Sequence, residues 1–527
     1  MINRSKPSLA YQWLSRPRQD ILSGLVVAFA MIPEAIAFSA LAGVKPEVGL
    51  LGAFFLSVTI AIVGGRMGMI TSATGSTALL MTGLVASASN PSLGVSYLIA
   101  AGLLTGVFQI LWGYLRLGYQ MRFVPQGVLS GFVNALALLI LQAQLPYLGL
   151  NLHHSGHLKG APDGIYQIVI VCLLIITGLL IIYGLPRLTR VVPSQLVAII
   201  GITGLSIGLN QHFPSEWHVP TVQNLGGLPS LDSLQHFGLP FGSTAEGKVP
   251  FSLETLGKIL PTALAISLVG LMETFLTQDI LDDMTDTTSN KNVEARGQGI
   301  ANMVSSLFGG MAGCALVGQS VMNIENGGRT RLSTMFSGIS LLLMIILGRD
   351  LLGQIPIAAL VAVMITIAVS TADTEGLRKI AKIPRSDTAV MLITFAVTML
   401  TTPHNLALGV LAGVALAGIL FSRKVAKVIN VSVKVVNTDE LRYEVSGQLF
   451  FVSKVYFLQG FDIHEHPSKI TIDMSRAHIW DQSGVAALNQ VIRKFRLGGS
   501  EVNVVDLNQE SLDLFERIGG GTESNPI

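Results

Sequence analysis

Two glycine-rich segments of this chain carry the residues best suited to bind an ion. Residues 64–80 read GGRMGMITSATGSTALL, and residues 309–325 read GGMAGCALVGQSVMNIE. Each segment opens with a Gly-Gly pair in apolar sequence and reaches glycine and a small hydroxyl residue further on. These later residues are Gly75 with Ser76 and Gly318 with Ser320. Such residues at membrane depth are typical of helices that are interrupted to line a binding cavity.

A helix that begins inside a membrane presents unpaired backbone N–H groups and the positive end of its dipole. If the two segments belong to inverted repeats, their helix starts face each other and form an anion site without a basic side chain. We predict that the substrate-binding residues are Thr74, Gly75, Ser76, Gly318, Gln319 and Ser320. The alternative is that these small residues only allow close helix packing.

Glu273 is an ionisable residue about midway along the apolar segment ALAISLVGLMETFLTQDI. An acid at that depth indicates a functional site by default. Thr277 lies one helical turn later, on the same face. The pair could help to hold Na⁺, or the carboxylate could carry a proton. The alternative is a structural carboxylate that is hydrogen-bonded to a neighbouring helix.

Glu34 follows Pro33 in the first apolar segment. Proline removes a backbone donor and kinks a helix. We interpret Glu34 either as a residue at the cavity or a domain contact, or as a side chain that is satisfied by the freed backbone.

The remaining polar groups have ordinary explanations. One acidic cluster is typical of a solvated helix end, and three histidines indicate an exposed loop more than a metal site. These residues are Asp279, Asp282, Asp283 and Asp286, and His153, His154 and His157. The two cysteines, Cys172 and Cys314, form neither a disulfide framework nor a metal site by themselves. No catalytic triad, phosphate-binding loop or zinc motif is present, so we expect neither an enzyme nor a nucleic-acid-binding protein, and no metal or other cofactor apart from Na⁺ as a candidate coupling ion.

The elements that must position these residues are membrane helices. The chain has 527 residues, of which 50% are hydrophobic and 13% are charged, whereas soluble domains have about 25% charged residues. Apolar segments long enough to cross or partly cross a bilayer fall into two sets of seven. They lie near 21–43, 48–64, 74–88, 97–115, 123–142, 165–183, 193–209, 257–278, 296–311, 317–325, 332–348, 355–371, 387–402 and 404–422.

Because each set has an odd number of spans, the second set enters the membrane from the opposite side. Basic residues concentrate in the segments that are cytoplasmic if the N-terminus is inside, as the positive-inside rule requires. We predict a cytoplasmic segment at 1–20 and a transport domain at 21–427, with repeats at about 21–209 and 257–422. Both termini are then cytoplasmic, and no cleavable signal peptide is visible.

The composition changes from about residue 428 onward. The segments 441–453, 469–475 and 501–507 are typical of strands, and 482–496 and 511–518 have helical spacing. This alternation predicts a small cytoplasmic α/β domain over 428–527.

The chain resembles the sulfate permease (SulP) family of anion transporters, in a bacterial form, over nearly its whole length. The motifs are IPEAIAFSALAGVKPEVGLLGAFF, METFLTQDILDD, GQGIANMVSSLFGGMAGCALVGQSVMNIENGGRTRLS and IPIAALVAVM. The C-terminal segment ITIDMSRAHIWDQSGVAAL resembles the STAS domain, which that family shares with anti-sigma-factor antagonists.

This resemblance implies fourteen spans in two inverted seven-span repeats that form a core and a gate domain, with elevator-like transport, usually by a homodimer, in the bacterial cytoplasmic membrane. In related sodium-dependent bicarbonate carriers, the positions that match Glu273 and Thr277 bind Na⁺. The start of the tenth span completes that cation-coupling site, here Ala315, Leu316 and Val317, and Thr74 matches a residue near the anion. The carriers have Asp at the position of Glu273 and a small residue and a hydroxyl residue at Leu316-Val317, so both Na⁺ and H⁺ stay open as coupling ions.

In the STAS-like domain, Ser483 matches a serine that is phosphorylated in anti-sigma-factor antagonists, and a cytoplasmic protein partner is implied there. The leading hypothesis is secondary transport of a small inorganic anion, bicarbonate or sulfate. A C4-dicarboxylate transporter, a nucleobase permease of a related fold and an anion-sensing membrane regulator that signals through Ser483 are the alternatives. The STAS-like domain argues against the permease.

Overall fold

The computed structural model describes most of the chain, in two compact units at Met1–Gly413 and Val414–Ile527. The described residues are 8–116, 118, 124–150, 164–188, 193–214, 217–225, 228, 238–242, 248–401, 406–437, 439–462 and 467–518. The predicted histidine loop at His153, His154 and His157 lies outside them.

The first unit is built almost entirely of helices. They are α1 (Leu9–Leu14), α2 (Pro17–Ala42), α3 (Pro46–Val63), α4 (Gly75–Ala86), α5 (Pro91–Tyr114), α6 (Gln126–Gln142), α7 (Ile165–Gly184), α8 (Ser194–His212), α9 (Leu253–Thr285), α10 (Lys291–Leu307), α11 (Val317–Glu325), α12 (Arg331–Leu347), α13 (Arg349–Gly353), α14 (Ile357–Thr371), α15 (Thr374–Arg378), α16 (Arg385–Leu400) and α17 (Leu406–Ala426), the last of which continues into the second unit. Short 3₁₀ turns lie at Leu145–Leu148, Leu185–Arg187 and Val222–Leu225.

Each of the fourteen apolar segments expected from the sequence is helical in the structure. Among the described residues, seven helices are long and apolar enough to cross a membrane. These are α2, α3, α5, α7, α9 and α17, together with α6 and its 3₁₀ extension to Leu148. The helices α4, α12 and α14 are apolar but shorter. The fold class, a polytopic helical membrane protein with a small α/β domain, is therefore as predicted.

Local sequence explains where several helices begin. Asn90 caps α5 by accepting from the backbone N–H of Leu93, and Pro91 occupies the first turn, where no hydrogen-bond donor is needed. Asp20 stabilises the start of α12, since its carboxylate accepts from the backbone N–H groups of Arg329 and Thr330.

Small residues allow the closest helix contact, which joins α5 and α10. A Cβ at Gly106 would lie 2.5 Å from the Gly299 carbonyl oxygen, and one at Gly113 would lie 2.9 Å from the Asn292 carbonyl oxygen. The glycines therefore bring the two backbones together, as in other membrane helix pairs.

Two very short, buried strands lie among the helices of this unit. Strand β1 (Thr71–Ser72) pairs antiparallel with strand β2 (Cys314–Ala315), with Thr71 opposite Ala315 and Ser72 opposite Cys314. Each strand ends two or three residues before a half-helix, β1 before α4 and β2 before α11. Because the strands run in opposite directions, α4 and α11 leave opposite ends of one strand pair.

The second unit is a four-stranded sheet with helices. Its strands are β3 (Asn430–Asn437), β4 (Glu440–Leu449), β5 (Lys469–Ile479) and β6 (Glu501–Val505), and its helices are α18 (Lys454–Gln459), α19 (Gln482–Leu497) and α20 (Gln509–Arg517). The strands lie in the order β3-β4-β5-β6, with β3 and β4 antiparallel and the other two pairs parallel. Tyr443, Ile472, Phe457 and Phe495 are buried in its core.

Three of these strands and two of the helices are as predicted, with differences at the ends. The expected strand over 441–453 ends at Leu449, because the chain turns there and begins α18 at Lys454. Strand β3 was missed, since its exposed valines alternate with polar residues at the edge of the sheet and have no buried face.

Candidate functional site

The start of α4 is capped by its own hydroxyl groups. Thr74 is the N-cap residue, and its Oγ1 accepts from the Thr77 backbone N–H at 3.5 Å while Thr77 Oγ1 accepts from the Thr74 backbone N–H at 3.4 Å. This reciprocal capping box stabilises a helix start. Thr74 Oγ1 also lies 3.1 Å from Ser76 Oγ. The interrupted helix thus begins at Gly75, as the sequence predicts.

Glu273 receives hydrogen bonds from both interrupted segments. Ser76 Oγ, in the first turn of α4, donates to Glu273 Oε2 at 2.7 Å. Cys314 Sγ, in β2, donates to the same oxygen at 2.8 Å. Thr74 Oγ1 lies 3.3 Å from that sulfur. One carboxylate on α9 therefore links residues 74–76 to residue 314, which is 238 positions away from Ser76 along the chain.

The two helix starts differ in accessibility. Gly75 is packed, since a Cβ there would lie 3.0 Å from Ile140 Cδ1 and 3.1 Å from Phe38 Cε1. Val317 and Gly318, in the first turn of α11, are exposed, and a Cβ at Gly318 would have no heavy atom within 4 Å. Open space therefore lies beside the start of α11, and the glycine at position 75 serves packing.

Gln319 and Ser320 are buried and bond to other elements. Gln319 Nε2 donates to Glu34 Oε1 on α2. Ser320 Oγ accepts from the Ile70 backbone N–H at 2.9 Å, next to β1. Glu34 is thus a contact between α2 and the half-helix α11, and the second oxygen, Oε2, has no hydrogen-bond partner in the described part of the chain. The hydrogen bond between Ser320 and Ile70 holds the start of β1 against α11.

Thr277 lies one helical turn after Glu273 on α9 and makes a hydrogen bond to its backbone. Its Oγ1 donates to the Glu273 backbone carbonyl, one turn back on α9, at 2.8 Å. The neighbouring Thr274 Oγ1 accepts from the Ala315 backbone N–H at 3.3 Å. Ala315 is held in β2, while Leu316 and Val317 place no hydroxyl group near the carboxylate.

Sequence reasoning missed several polar residues that hold the strand pair. Cys314 lies in apolar sequence that gives no sign of its contact with Glu273. Asn302 donates to the Gly313 carbonyl at 3.1 Å and accepts from the Gly313 backbone N–H at 2.8 Å. Gln298 donates to Thr71 Oγ1 at 2.8 Å. The signal available was the polar face GQGIANMVSS of α10, but spacing alone gives no partner for it.

The acidic cluster at the C-terminal end of α9 is more than a solvated helix end. Arg66 Nε lies 2.7 Å from Asp282 Oδ1, and both side chains are mostly buried. Asp279 pairs with Lys291 at 2.7 Å on the surface. The expectation was wrong for Asp282, because the segment after the first Gly-Gly pair folds back and brings Arg66 onto it. Among the described residues, no group of three or more His, Cys, Asp or Glu side chains is arranged to hold a metal ion.

In the second unit, Ser483 is a half-buried residue in the first turn of α19. Asp481 caps that helix by accepting from the Gly484 backbone N–H at 2.9 Å. On the sheet, burial alone would raise the pKa of Asp473, but hydrogen bonds from Arg442 and Ser475 hold that pKa at about 2.

The comparisons with known proteins agree with this geometry. The model of the sulfate permease family matches residues 18–394. The chain belongs to the sulfate permease family. The STAS domain model matches residues 430–522.

Among this family, the chain is 42% identical to "Putative sulfate transporter YbaR" of Bacillus subtilis, over 97% of the chain and 99% of the relative. It is 29% identical to "Bicarbonate transporter BicA" of Picosynechococcus, over 82% of the chain and 76% of the relative.

Two solved structures show the same fold. The transmembrane domain of a cyanobacterial bicarbonate transporter BicA superposes with a TM-score of 0.61 at 27% identity, covering 77% of this chain and 98% of that one. Murine Slc26a9, an anion transporter in the inward-facing state, superposes with a TM-score of 0.79 at 17% identity, covering 98% and 92%. The second likeness concerns the fold alone.

Proposed function

We propose that this chain is a secondary active transporter of a small inorganic anion, sulfate or bicarbonate. The observation that carries the proposal is the antiparallel pairing of β1 with β2, from which α4 and α11 both begin. Two helix starts at one strand pair concentrate backbone N–H groups and positive dipole ends where an anion can bind. The names of YbaR and BicA support sulfate and bicarbonate as the two candidate anions.

In this proposal the anion lies between the helix starts near Gly75 and Gly318. Thr74, Ser76, Gln319 and Ser320 surround it, and the open space beside Gly318 admits it. The packed environment of Gly75 means that the first turn of α4 contributes through its dipole and its hydroxyl groups. The Gln319 amide also donates to Glu34, so this side chain links the proposed anion site to α2.

The electrostatics of this site favour coupling to a cation. The side chains at the helix starts are uncharged, and the ionisable side chains that contact them are Glu34 and Glu273. An anion beside an ionised carboxylate is repelled at short range. A proton on Glu273, or Na⁺ beside it, would remove that repulsion, so anion and cation would bind together.

The contacts of Glu273 favour H⁺ over Na⁺ in this scheme. Thr277 Oγ1 donates its hydrogen to a backbone carbonyl and keeps lone pairs that could bind Na⁺, whereas position 317 is a valine without a side-chain oxygen. Ala315 and Leu316 then offer only their backbone oxygens to Na⁺, which needs several oxygen ligands. A carboxylate that accepts from a hydroxyl and a thiol needs only a small rearrangement to take up a proton.

We propose an elevator mechanism with the repeats at about 21–209 and 257–422. The half-helices with their neighbours α2, α3, α5, α9, α10 and α12 would form the mobile core, and α6–α8, α14, α16 and α17 would form the gate. A cavity of about 450 Å³ lies between α2 and α4 on one side and α6 and α14 on the other. Its lining is mostly apolar, which suits sliding surfaces.

The location of the chain, its domain limits, its oligomeric state and its regulation are part of the same proposal. The chain would lie in the bacterial cytoplasmic membrane with both termini inside, over domains at 1–20, 21–427 and 428–527, and would act as a homodimer. The STAS domain would bind a cytoplasmic protein partner, and phosphorylation of Ser483 at the start of α19 would control that contact.

Uptake of radiolabelled sulfate and of radiolabelled bicarbonate into proteoliposomes tests the function. We expect accumulation of one of the two anions when an inward proton gradient is imposed, with no added effect of Na⁺. Accumulation only with a Na⁺ gradient would show that Na⁺, and not H⁺, is the coupling ion. Uptake of neither anion under either gradient would contradict the transport proposal.

A further inference from the structure

An exposed apolar cluster lies at one edge of the sheet in the second unit. It consists of Phe451, Val455, Tyr456 and Trp480, and we call it the aromatic edge. Phe451 is 65% exposed, Val455 58% and Trp480 54%. Single exposed hydrophobic side chains are ordinary, whereas a contiguous cluster of them marks an interaction surface.

The backbone beneath the aromatic edge is fixed by the sheet. The Trp480 N–H donates to the Leu449 carbonyl at 3.0 Å. The Phe451 N–H donates to Asp481 Oδ2 at 2.9 Å. The buried Phe450 packs against both exposed rings, with its ring centroid 5.6 Å from that of Phe451 and 5.1 Å from that of Trp480. The two rings are therefore held at the surface by ordered structure.

The strand order brings β4 back to the end of the membrane helix α17. Strand β3 begins at Asn430, four residues after α17 ends at Ala426, and it pairs antiparallel with β4. Strand β4 therefore runs towards α17, and it extends past the start of β3. A Cβ at Gly447 would lie 2.8 Å from the Val428 carbonyl oxygen, so β4 touches the link between α17 and β3. Phe451 follows Gly447 by four residues, which span at most about 14 Å.

Trp480 leaves the sheet at the same edge. Strand β5 is parallel to β4, and its last residue, Ile479, lies opposite Leu449. Helix α17 is long and apolar enough to cross a membrane, so its last turn marks the membrane surface. The headgroup layer outside the hydrocarbon core is about 5–8 Å thick on each side. The aromatic edge is therefore within reach of that layer.

The charges beside the aromatic edge fit an anionic membrane surface. Three basic residues are exposed at the end of α17 and just after it, namely Arg423, Lys424 and Lys427. Basic residues next to a span attract anionic lipid headgroups, and Trp and Tyr rings favour the membrane interface. The neighbouring Asp481 carboxylate accepts from the backbone N–H groups of Phe451 and Gly484, which offset its negative charge.

We propose that the aromatic edge inserts into the headgroup layer of the membrane that α17 crosses, and that it docks the STAS domain on the lipid surface. Phe451 and Trp480 lie between the headgroups, and Val455 and Tyr456 on α18 extend the contact. The basic residues at the end of α17 bind the phosphates of anionic lipids. The STAS domain then has a lipid contact in addition to its covalent link to α17.

Quenching of tryptophan fluorescence by brominated lipid tests this docking in the full chain. Trp480 becomes the single tryptophan when the other three of the four are replaced by phenylalanine, at Trp13, Trp112 and Trp217. The chain is placed in nanodiscs of phosphatidylcholine and phosphatidylglycerol. We expect lipid that is brominated near the top of the acyl chain to quench Trp480, and aqueous iodide to quench it weakly.

The control moves the tryptophan to the other end of α19. Leu497 is exposed there, about 23 Å from the start of the helix. In a chain with Trp480→Phe and Leu497→Trp, iodide should quench the tryptophan and brominated lipid should not. Equal quenching of the two chains by brominated lipid would overturn the proposal.

A charged residue in the aromatic edge should release it from the lipid. Phe451→Glu and Val455→Glu should each lower the quenching of Trp480 by brominated lipid and raise its quenching by iodide, and both should fold because the side chains are exposed. Leu497→Glu should change neither value. Quenching of wild-type Trp480 by iodide alone would show a solvated surface and would overturn the proposal. Protection of Trp480 from both quenchers would show that protein covers the aromatic edge, and this result would overturn it too.

Discussion

At the scale of single residues, Glu273 is the point at which the two interrupted segments meet. Its carboxylate accepts from Ser76 on one side and from Cys314 on the other. A change of its charge therefore acts on both helix starts at once. This is the physical reason to place cation coupling at Glu273.

We predict that Glu273→Gln abolishes gradient-driven anion uptake, because the amide neither takes up a proton nor balances Na⁺. Uptake by the variant should fall to the level of empty liposomes. Glu254→Gln is the matched control, since Glu254 lies on the same helix, is exposed and pairs with the exposed Lys258. Normal gradient dependence in Glu273→Gln would remove this residue from the mechanism.

A second residue-scale prediction concerns Asp473 in the STAS domain. Its pKa of about 2 lies below the usual 3.8, so its ion pair with Arg442 stabilises the sheet above about pH 4, and that contribution is lost as the pH falls towards 2. Asp473→Asn should speed hydrogen exchange in the peptide 469–479 at pH 7 and should have a smaller effect near pH 2.5, where part of the contribution is already lost. An equal effect at both pH values would contradict the ion-pair explanation.

At the scale of elements, the half-helices α4 and α11 depend on a strand pair only two residues long. The carboxyl end of each strand leads directly into a helix start, so the strand pairing fixes the position of both helix dipoles. Two polar residues of α10 stabilise this pair: Asn302 donates to the Gly313 carbonyl next to β2, and Gln298 donates to Thr71 in β1.

The space beside Gly318 leads to a prediction about α11. Gly318→Leu should leave folding intact, because a Cβ there has no neighbour within 4 Å, but it should abolish uptake by filling the approach to the backbone. Gly208→Leu on α8, which is equally open, is the control. Near-normal uptake by Gly318→Leu, measured at equal protein content, would count against the facing helix starts.

The contact of α5 with α10 gives a prediction about stability. Gly106→Leu should lower the free energy of unfolding by about 1–3 kcal/mol or more, because the side chain overpacks a close backbone contact. Thermal unfolding followed by size-exclusion chromatography measures this effect as a lower melting temperature. Gly204→Leu, in open space on α8, should melt as the wild type does, and equal melting of both variants would contradict the packing role.

Most elements were predictable from the sequence, whereas most contacts were not. Long apolar runs predict membrane helices almost without context, and each of the fourteen predicted segments contains a helix, seven of which are long and apolar enough to cross a membrane among the described residues. The glycine and hydroxyl pattern predicted helix starts near Gly75 and near Gly318, and the helices begin at Gly75 and at Val317. The β1–β2 pairing and the Cys314–Glu273 contact join residues far apart along the chain, and neither periodicity nor composition carries that information.

At the scale of the whole molecule, the helical unit and the STAS domain have separate cores. The residues proposed to bind the anion and the cation all lie in the helical unit. Selectivity and coupling should therefore belong to that unit, and the STAS domain should serve assembly or regulation.

Deletion of residues 428–527 tests this division. We expect the shortened chain to keep the same preference between sulfate and bicarbonate, with reduced uptake or altered oligomeric state. Competition uptake and light scattering measure the two properties. A changed anion preference would show that the STAS domain contributes to the site.

The position of the bound anion tests the central claim most directly. A structure of the full chain with the transported anion, with selenate in place of sulfate where sulfate is transported, would locate it by its density or anomalous signal. The account predicts one anion within hydrogen-bonding distance of the first-turn backbone N–H groups of α11 and next to Thr74 and Ser76. An anion bound elsewhere in the helical unit, with none at these helix starts, would contradict it.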